Sequence, residues 1–137
     1  MRGLGQRPNV FSSPRTLQES VNAMNFLNEA QAYEGEMRAF FEDLHRHPEP
    51  SHFENRTNQR VREQLRAHQI DMLCPKDNIT IAVIRGAKPG RTVGLRFDTD
   101  ALQMQELCDV PYKSEHDGLM HGCGHDAHTT CGVYVAR

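Results

Sequence analysis

An α/β fold class follows from three features of this 137-residue sequence. It has helical periodicity in the first half, two β-rich runs after Pro75, and no internal repeat or low-complexity tract. Residues 1–15, with Gly3, Gly5, Pro8, Arg2 and Arg7, read as a flexible tail. Thr16 and Glu19 have capping-box spacing, in which each side chain satisfies a backbone donor, so a helix is expected to begin there. Leu17, Val21 and Met24 recur at helical spacing, and Tyr33, Met37, Phe40, Phe41 and Leu44 extend the stripe. Gly35 weakens its middle, which leaves one long helix or two joined near that residue. Pro48 and Pro50 end it, because each lacks an N–H and restricts the residue before it. A second helix is expected over 57–68, with Val61 and Leu65 on its buried side.

Ile79-Thr80-Ile81-Ala82-Val83-Ile84 is apolar and rich in β-branched residues. Gly86-Ala87-Lys88-Pro89-Gly90 then supplies a turn, and Val93, Leu95 and Phe97 alternate with Gly94 and Arg96. The sequence therefore predicts two strands, 79–84 and 93–97, joined by a short connection. Residues 16–137 are read as one domain, since the length leaves little room for two full cores.

Composition narrows the function classes. The chain is 37% hydrophobic and 25% charged, with a formal net charge of −2 and a pI near 6.4, so it has no basic field suited to nucleic acid or an anionic membrane. No apolar run reaches the ~20 residues that span a bilayer, and residues 1–14 lack the apolar stretch of a secretory signal. The expectation is a cytoplasmic protein whose four cysteines, Cys74, Cys108, Cys123 and Cys131, stay reduced. Mean hydropathy is low at −0.68, and much of the polar excess lies in the first half.

The residues that bear chemistry gather in the last third. His121-Gly122-Cys123-Gly124-His125-Asp126-Ala127-His128 holds three of the eight histidines, one cysteine and one aspartate. In an extended segment His121, Cys123 and His125 would share one face, and a thiolate with neutral imidazoles suits zinc or a related metal. The competing readings are a hydrogen-bonded polar loop and a structural zinc site, though the latter favours paired cysteines that this stretch lacks. Arg96-Phe97-Asp98-Thr99-Asp100 closes the second predicted strand, where α/β proteins place their sites. Asp98 and Asp100 there suit either metal chemistry or the capping of a turn.

Three stretches carry a family resemblance: Leu44-His45-Arg46-His47-Pro48-Glu49, Leu95-Arg96-Phe97-Asp98-Thr99-Asp100-Ala101-Leu102, and Met120-His121-Gly122-Cys123-Gly124-His125-Asp126-Ala127-His128-Thr129. In this order they resemble the amidohydrolase branch of the zinc carboxypeptidase and aminoacylase clan, which includes hippurate hydrolase, auxin–amino acid conjugate hydrolases and aminobenzoyl-glutamate hydrolase. The resemblance runs from about Tyr33 to Gly132. It implies N-terminal helices followed by strands of an incomplete mixed sheet, part of a zinc-peptidase catalytic domain whose lid domain is absent.

By the same resemblance Cys123 and His125 are metal ligands and Asp98 is a catalytic residue beside the metal. Asp100, His121, Asp126 and His128 are neighbours without an assigned role. The implied cofactor is a divalent metal, zinc or manganese, and the implied reaction is hydrolysis of the amide bond of a small N-acyl amino acid. Gln103 stands where the family usually has proline, and Glu54-Asn55 where it has an acidic pair, so the local turn and surface geometry are expected to differ. The glutamate pair that supplies the family's general base, and its later histidine ligands, have no counterpart in these 137 residues. Two other outcomes follow: an inactive remnant, or a small metal-binding or regulatory module that pairs with a full-length relative or forms a homo-oligomer.

Overall fold

The computed structural model describes residues 27–137. The expected tail, the Thr16–Glu19 cap and the Leu17, Val21 and Met24 stripe lie outside the described residues. The chain is helical over 27–32, turns at Tyr33 and resumes as α1 (Glu34–Arg46), so the break falls two residues before Gly35. Residues 35–137 form one contact unit.

Helix α1 buries Phe40, Leu44 and His45 on one side, as the periodicity requires. His45 and Arg46 lie in its last turn, where positive charge meets the negative end of the helix dipole. The helix stops at Arg46, so His47, the residue before Pro48, is already outside it. Helix α2 (Asn55–Ala67) matches the expected second helix within two residues and buries Leu65. Its cap is unusual. The N-cap Glu54 makes no side-chain cap bond; instead the Glu49 carboxylate accepts from the Arg56 and Thr57 N–H groups at 2.9 and 2.7 Å. Asp43 of α1 binds Arg56 at 2.7 Å and Arg60 at 2.9 Å, tying the two helices together. Burial would raise the Asp43 pKa, but these two guanidinium groups outweigh it and hold the carboxyl below its ordinary value.

The strands differ from expectation. β1 (Asp71–Lys76) pairs antiparallel with β2 (Ile79–Val83) around the turn at Asp77-Asn78, with Leu73 opposite Ile81. The partner of the first predicted strand thus precedes it, and 93–97 forms no ladder. Pro75, which cannot donate to a ladder, hid β1 from a reading by strand propensity, and it sits where the register slips between Leu73 and Lys76. Among the described residues the sheet is this one hairpin.

Helix α3 (His125–Ala136) was not foreseen. It starts at Gly124, whose φ of 76° lies in the left-handed region that favours glycine. Val133 of α3 packs with Phe40 and Leu44, and Val61 and Tyr134 close over them. Gly132 lets α3 approach Phe97, since a Cβ there would lie 2.6 Å from the ring. No helix among the described residues is long and apolar enough to cross a membrane.

Candidate metal centre

Backbone hydrogen bonds draw the three motif stretches together. Ala101 N–H donates to the Glu49 carbonyl at 2.8 Å, while Leu102 and Met120 exchange bonds of 2.9 and 3.0 Å. At the far end of the middle stretch, Phe97 rests on Gly132, and the Thr129 hydroxyl donates to the Asp98 carbonyl at 2.8 Å. The chain thereby places Asp98 and Asp100 beside the first turns of α3.

Each aspartate faces a different histidine. His125 Nδ1 lies 2.9 Å from both the carboxylate and the carbonyl oxygen of Asp100, so Nδ1–H donates and Nε2 keeps the lone pair. That is the orientation a carboxylate imposes on a metal-binding histidine. Asp98 instead meets His128: its backbone N–H donates to His128 Nδ1 at 3.1 Å, and its carboxylate pairs with the exposed Arg96. The resemblance had made Asp98 the metal-side aspartate and Asp100 only a motif member, whereas the geometry gives the orienting contact to Asp100.

The stretch from His121 to His125 is not extended. A turn at Gly122-Cys123 and the left-handed Gly124 break the alternation, so His121 is buried at 5% exposure while Cys123 is exposed. The shared face expected for His121, Cys123 and His125 is therefore absent. Gly-X-Gly carries no side-chain bulk to hold a strand straight, and this is the physical reason for the turn. Both ring nitrogens of His121 are buried without a hydrogen-bond partner. Burial lowers its pKa first, and the nearby His45 and His125 lower it further against the opposing pull of Asp126 and Asp100.

A third cluster escaped the sequence reading. His45 of α1 sits between Asp126 Oδ2, at 2.6 Å, and Glu106 Oε1, at 3.2 Å, and all three are buried. Asp126 Oδ1 also accepts from Ala127 N–H at 2.8 Å, and Glu106 Oε2 from Ser114 N–H at 2.7 Å. Burial alone would lower the His45 pKa, but hydrogen bonds to the two carboxylates raise it above its ordinary value. Burial likewise pushes the Glu106 carboxyl up, and the Ser114 N–H with His45 outweighs that and lowers it. Glu106 carried no sequence signal beyond its position four residues after Leu102. His45 was legible only as a member of its motif.

A thiol and an imidazole whose Nδ1–H is held by a carboxylate are the ligand types that suit zinc or a similar divalent ion, and both ring nitrogens of His121 are buried and unpaired. Among the described residues, however, no three His, Cys, Asp or Glu side chains converge as a complete set of ligands.

Residues 94–137 match the model of peptidase family M20/M25/M40. N-acetylcysteine deacetylase of Bacillus subtilis is 44% identical over 96 residues, covering 69% of this chain and 25% of that protein. An N-acyl-L-amino acid amidohydrolase of Geobacillus stearothermophilus is 40% identical over 95 residues, covering 69% of this chain and 26% of that protein. The chain belongs to this family. It spans about a quarter of the length of the curated M20 relatives it matches. The M20 fold is shared as well: a dinuclear metal-binding M20 peptidase of Bacillus subtilis superposes with a TM-score of 0.74 at 38% identity, over 77% of this chain and 30% of that one.

Proposed function

We propose that this chain supplies two metal ligands, Cys123 and His125, to a metal-dependent amidohydrolase that cleaves the amide bond of small N-acyl amino acids. The observation that carries the reading is the Asp100–His125 contact, which presets the imidazole tautomer a divalent ion requires, two residues after Cys123 in the chain. The deacetylase and amidohydrolase names of the relatives support the substrate class. Zinc or manganese, when bound, polarises the amide carbonyl and lowers the pKa of a coordinated water. Asp100 holds the His125 ring. Asp98 acts at one remove, fixing the His128 ring through its backbone N–H and the α3 turn through its carbonyl.

A hydrolytic centre uses about three protein ligands, an open position and a base. The two ligands assigned here fall short of that set, which supports a second reading: a metal-binding module completed by ligands from a full-length relative. Elemental analysis of the dialysed chain beside Cys123→Ser tests the metal centre. Near-stoichiometric zinc or manganese in the parent, lost in the variant, supports it, and N-acyl amino acid hydrolysis with and without an added relative then separates the two readings. Equal metal in both proteins overturns the ligand assignment, and metal in neither overturns the centre.

A further inference from the structure

We infer that His45 is a positioning residue for the metal centre: by bridging Glu106 and Asp126 it fixes the first turn of α3 in the place where Cys123 and His125 are presented together. The inference rests on the metal-centre reading above and deepens it.

The argument begins with Asp126, whose neighbours in sequence are His125 and Ala127. Its side chain is fully buried, whereas Cys123 is exposed. A carboxylate buried in the first turn of a helix gains from the helix dipole and from the Ala127 N–H, but it still lacks a full counter-charge. His45 supplies that charge from α1, at 2.6 Å.

The other ring nitrogen of His45 is held by Glu106, which is anchored in turn by the Ser114 N–H. The ring is therefore gripped on both sides, and Tyr112 packs edge-on against it with centroids 5.3 Å apart. Rotation of the imidazole would leave two buried carboxylates without their donor, so it has one stable orientation.

The rest of α3 is set by Val133 against Phe40 and Leu44, by Gly132 against Phe97, and by the Thr129 hydroxyl on the Asp98 carbonyl. The polar bridge adds a fixed point in the first turn, at Asp126. Since His125 and Asp126 are consecutive, fixing Asp126 inward turns His125 toward Asp100. Outer partners that orient a metal ligand typically alter affinity by about 10–100-fold when removed.

The test uses the full chain in four forms: parent, His45→Ala, His45→Asn and Leu65→Ala. Asparagine places an amide N–H near the position of Nδ1 and keeps the bond to Asp126. Leu65→Ala is a destabilised control with an intact bridge, because Leu65 is buried in α2 and makes no part of it. Cobalt(II) is titrated into each form, following the thiolate-to-cobalt absorption band, and amide exchange at Ala127 and His128 is measured without metal.

The expected result is cobalt binding weakened about 10–100-fold in His45→Ala, largely restored in His45→Asn, and unchanged in Leu65→Ala despite its lower melting temperature. Exchange at Ala127 and His128 should quicken selectively in His45→Ala. Equal weakening in His45→Ala and Leu65→Ala, or no weakening in either, overturns the inference. If the parent shows no cobalt band, the metal-centre reading fails by itself, and exchange decides the role of His45. Faster exchange than in Leu65→Ala upholds the positioning of α3, and the same exchange overturns it. Should His45→Ala not fold, His45→Leu, which fills the space without donating to either carboxylate, takes its place under the same criteria.

Discussion

The junction of α1 with α3 and the β1–β2 hairpin order their residues in opposite ways. At the junction, three buried ionisable groups partner one another: His45, Glu106 and Asp126 share four hydrogen bonds among themselves and with the Ser114 and Ala127 amides. In the hairpin, apolar side chains stand at the surface, with Leu73 at 61% and Ile81 at 46% exposure. The stretch after it is more exposed still, Val93 reaching 79%. Two-stranded hairpins are marginal in water, so this one depends on its contacts with α2, where Arg62 donates to Thr80 Oγ1 and to carbonyls at the turn. The difference teaches that specificity of structure is concentrated where polar groups are buried, and that the apolar hairpin is comparatively free to vary.

The strongest way to break the junction is Asp126→Ala. It leaves the His45 cation facing a single carboxylate and removes the acid from the start of α3, at an expected cost of about 3–5 kcal/mol. Urea denaturation checks it. Gly132→Ala comes next, because the added methyl must displace the Phe97 ring, at about 1–3 kcal/mol and with a lower melting temperature.

The pH response sharpens the comparison more gently. The raised His45 pKa means that its contribution is fully present below pH 6.5, its ordinary value, and is lost as pH rises through the folded value. The lowered Glu106 pKa works in the other direction, its contribution being present above 4.5 and lost as pH falls through the folded value. The parent should therefore show a stability maximum between these limits, and His45→Asn a flatter alkaline side, in melting curves taken across pH. The smallest effect is expected in the hairpin, where Leu73→Thr should change stability by no more than about 0.5 kcal/mol. A large loss there would show that the hairpin shares the order of the junction.

Legibility in the sequence follows the same division. Periodicity and proline rules located α1's end and nearly all of α2, because both obey local physics. The motif histidines, cysteine and aspartates drew the reading to the last third of the chain, where the structure brings His125 to Asp100 and His128 to Asp98. Helix α3 was not legible, since its buried side consists of Asp126, Thr129, Thr130 and Val133 and presents no apolar stripe. Glu106 was hidden for a related reason: a glutamate reads as solvent-facing until the histidine that neutralises it is seen in space. The assignment of Asp100 to His125 and of Asp98 to His128 likewise depends on how α3 is rotated, which no local pattern encodes.

Glu49 has a practical consequence for anyone re-engineering this chain. Its carboxylate caps α2 from the far side of the turn at 50–53, so the helix start is fixed by a residue that lies ahead of the loop. The side chains of Ser51, His52 and Phe53 are exposed, but the turn is closed by Phe53 N–H donating to the Pro50 carbonyl at 3.0 Å and by Asn55 N–H donating to the Phe53 carbonyl at 2.8 Å, with His52 at a φ of 74°. The length of this turn therefore sets where α2 begins, and a peptide spliced into it would part Glu49 from the amides it caps, so a tag belongs elsewhere.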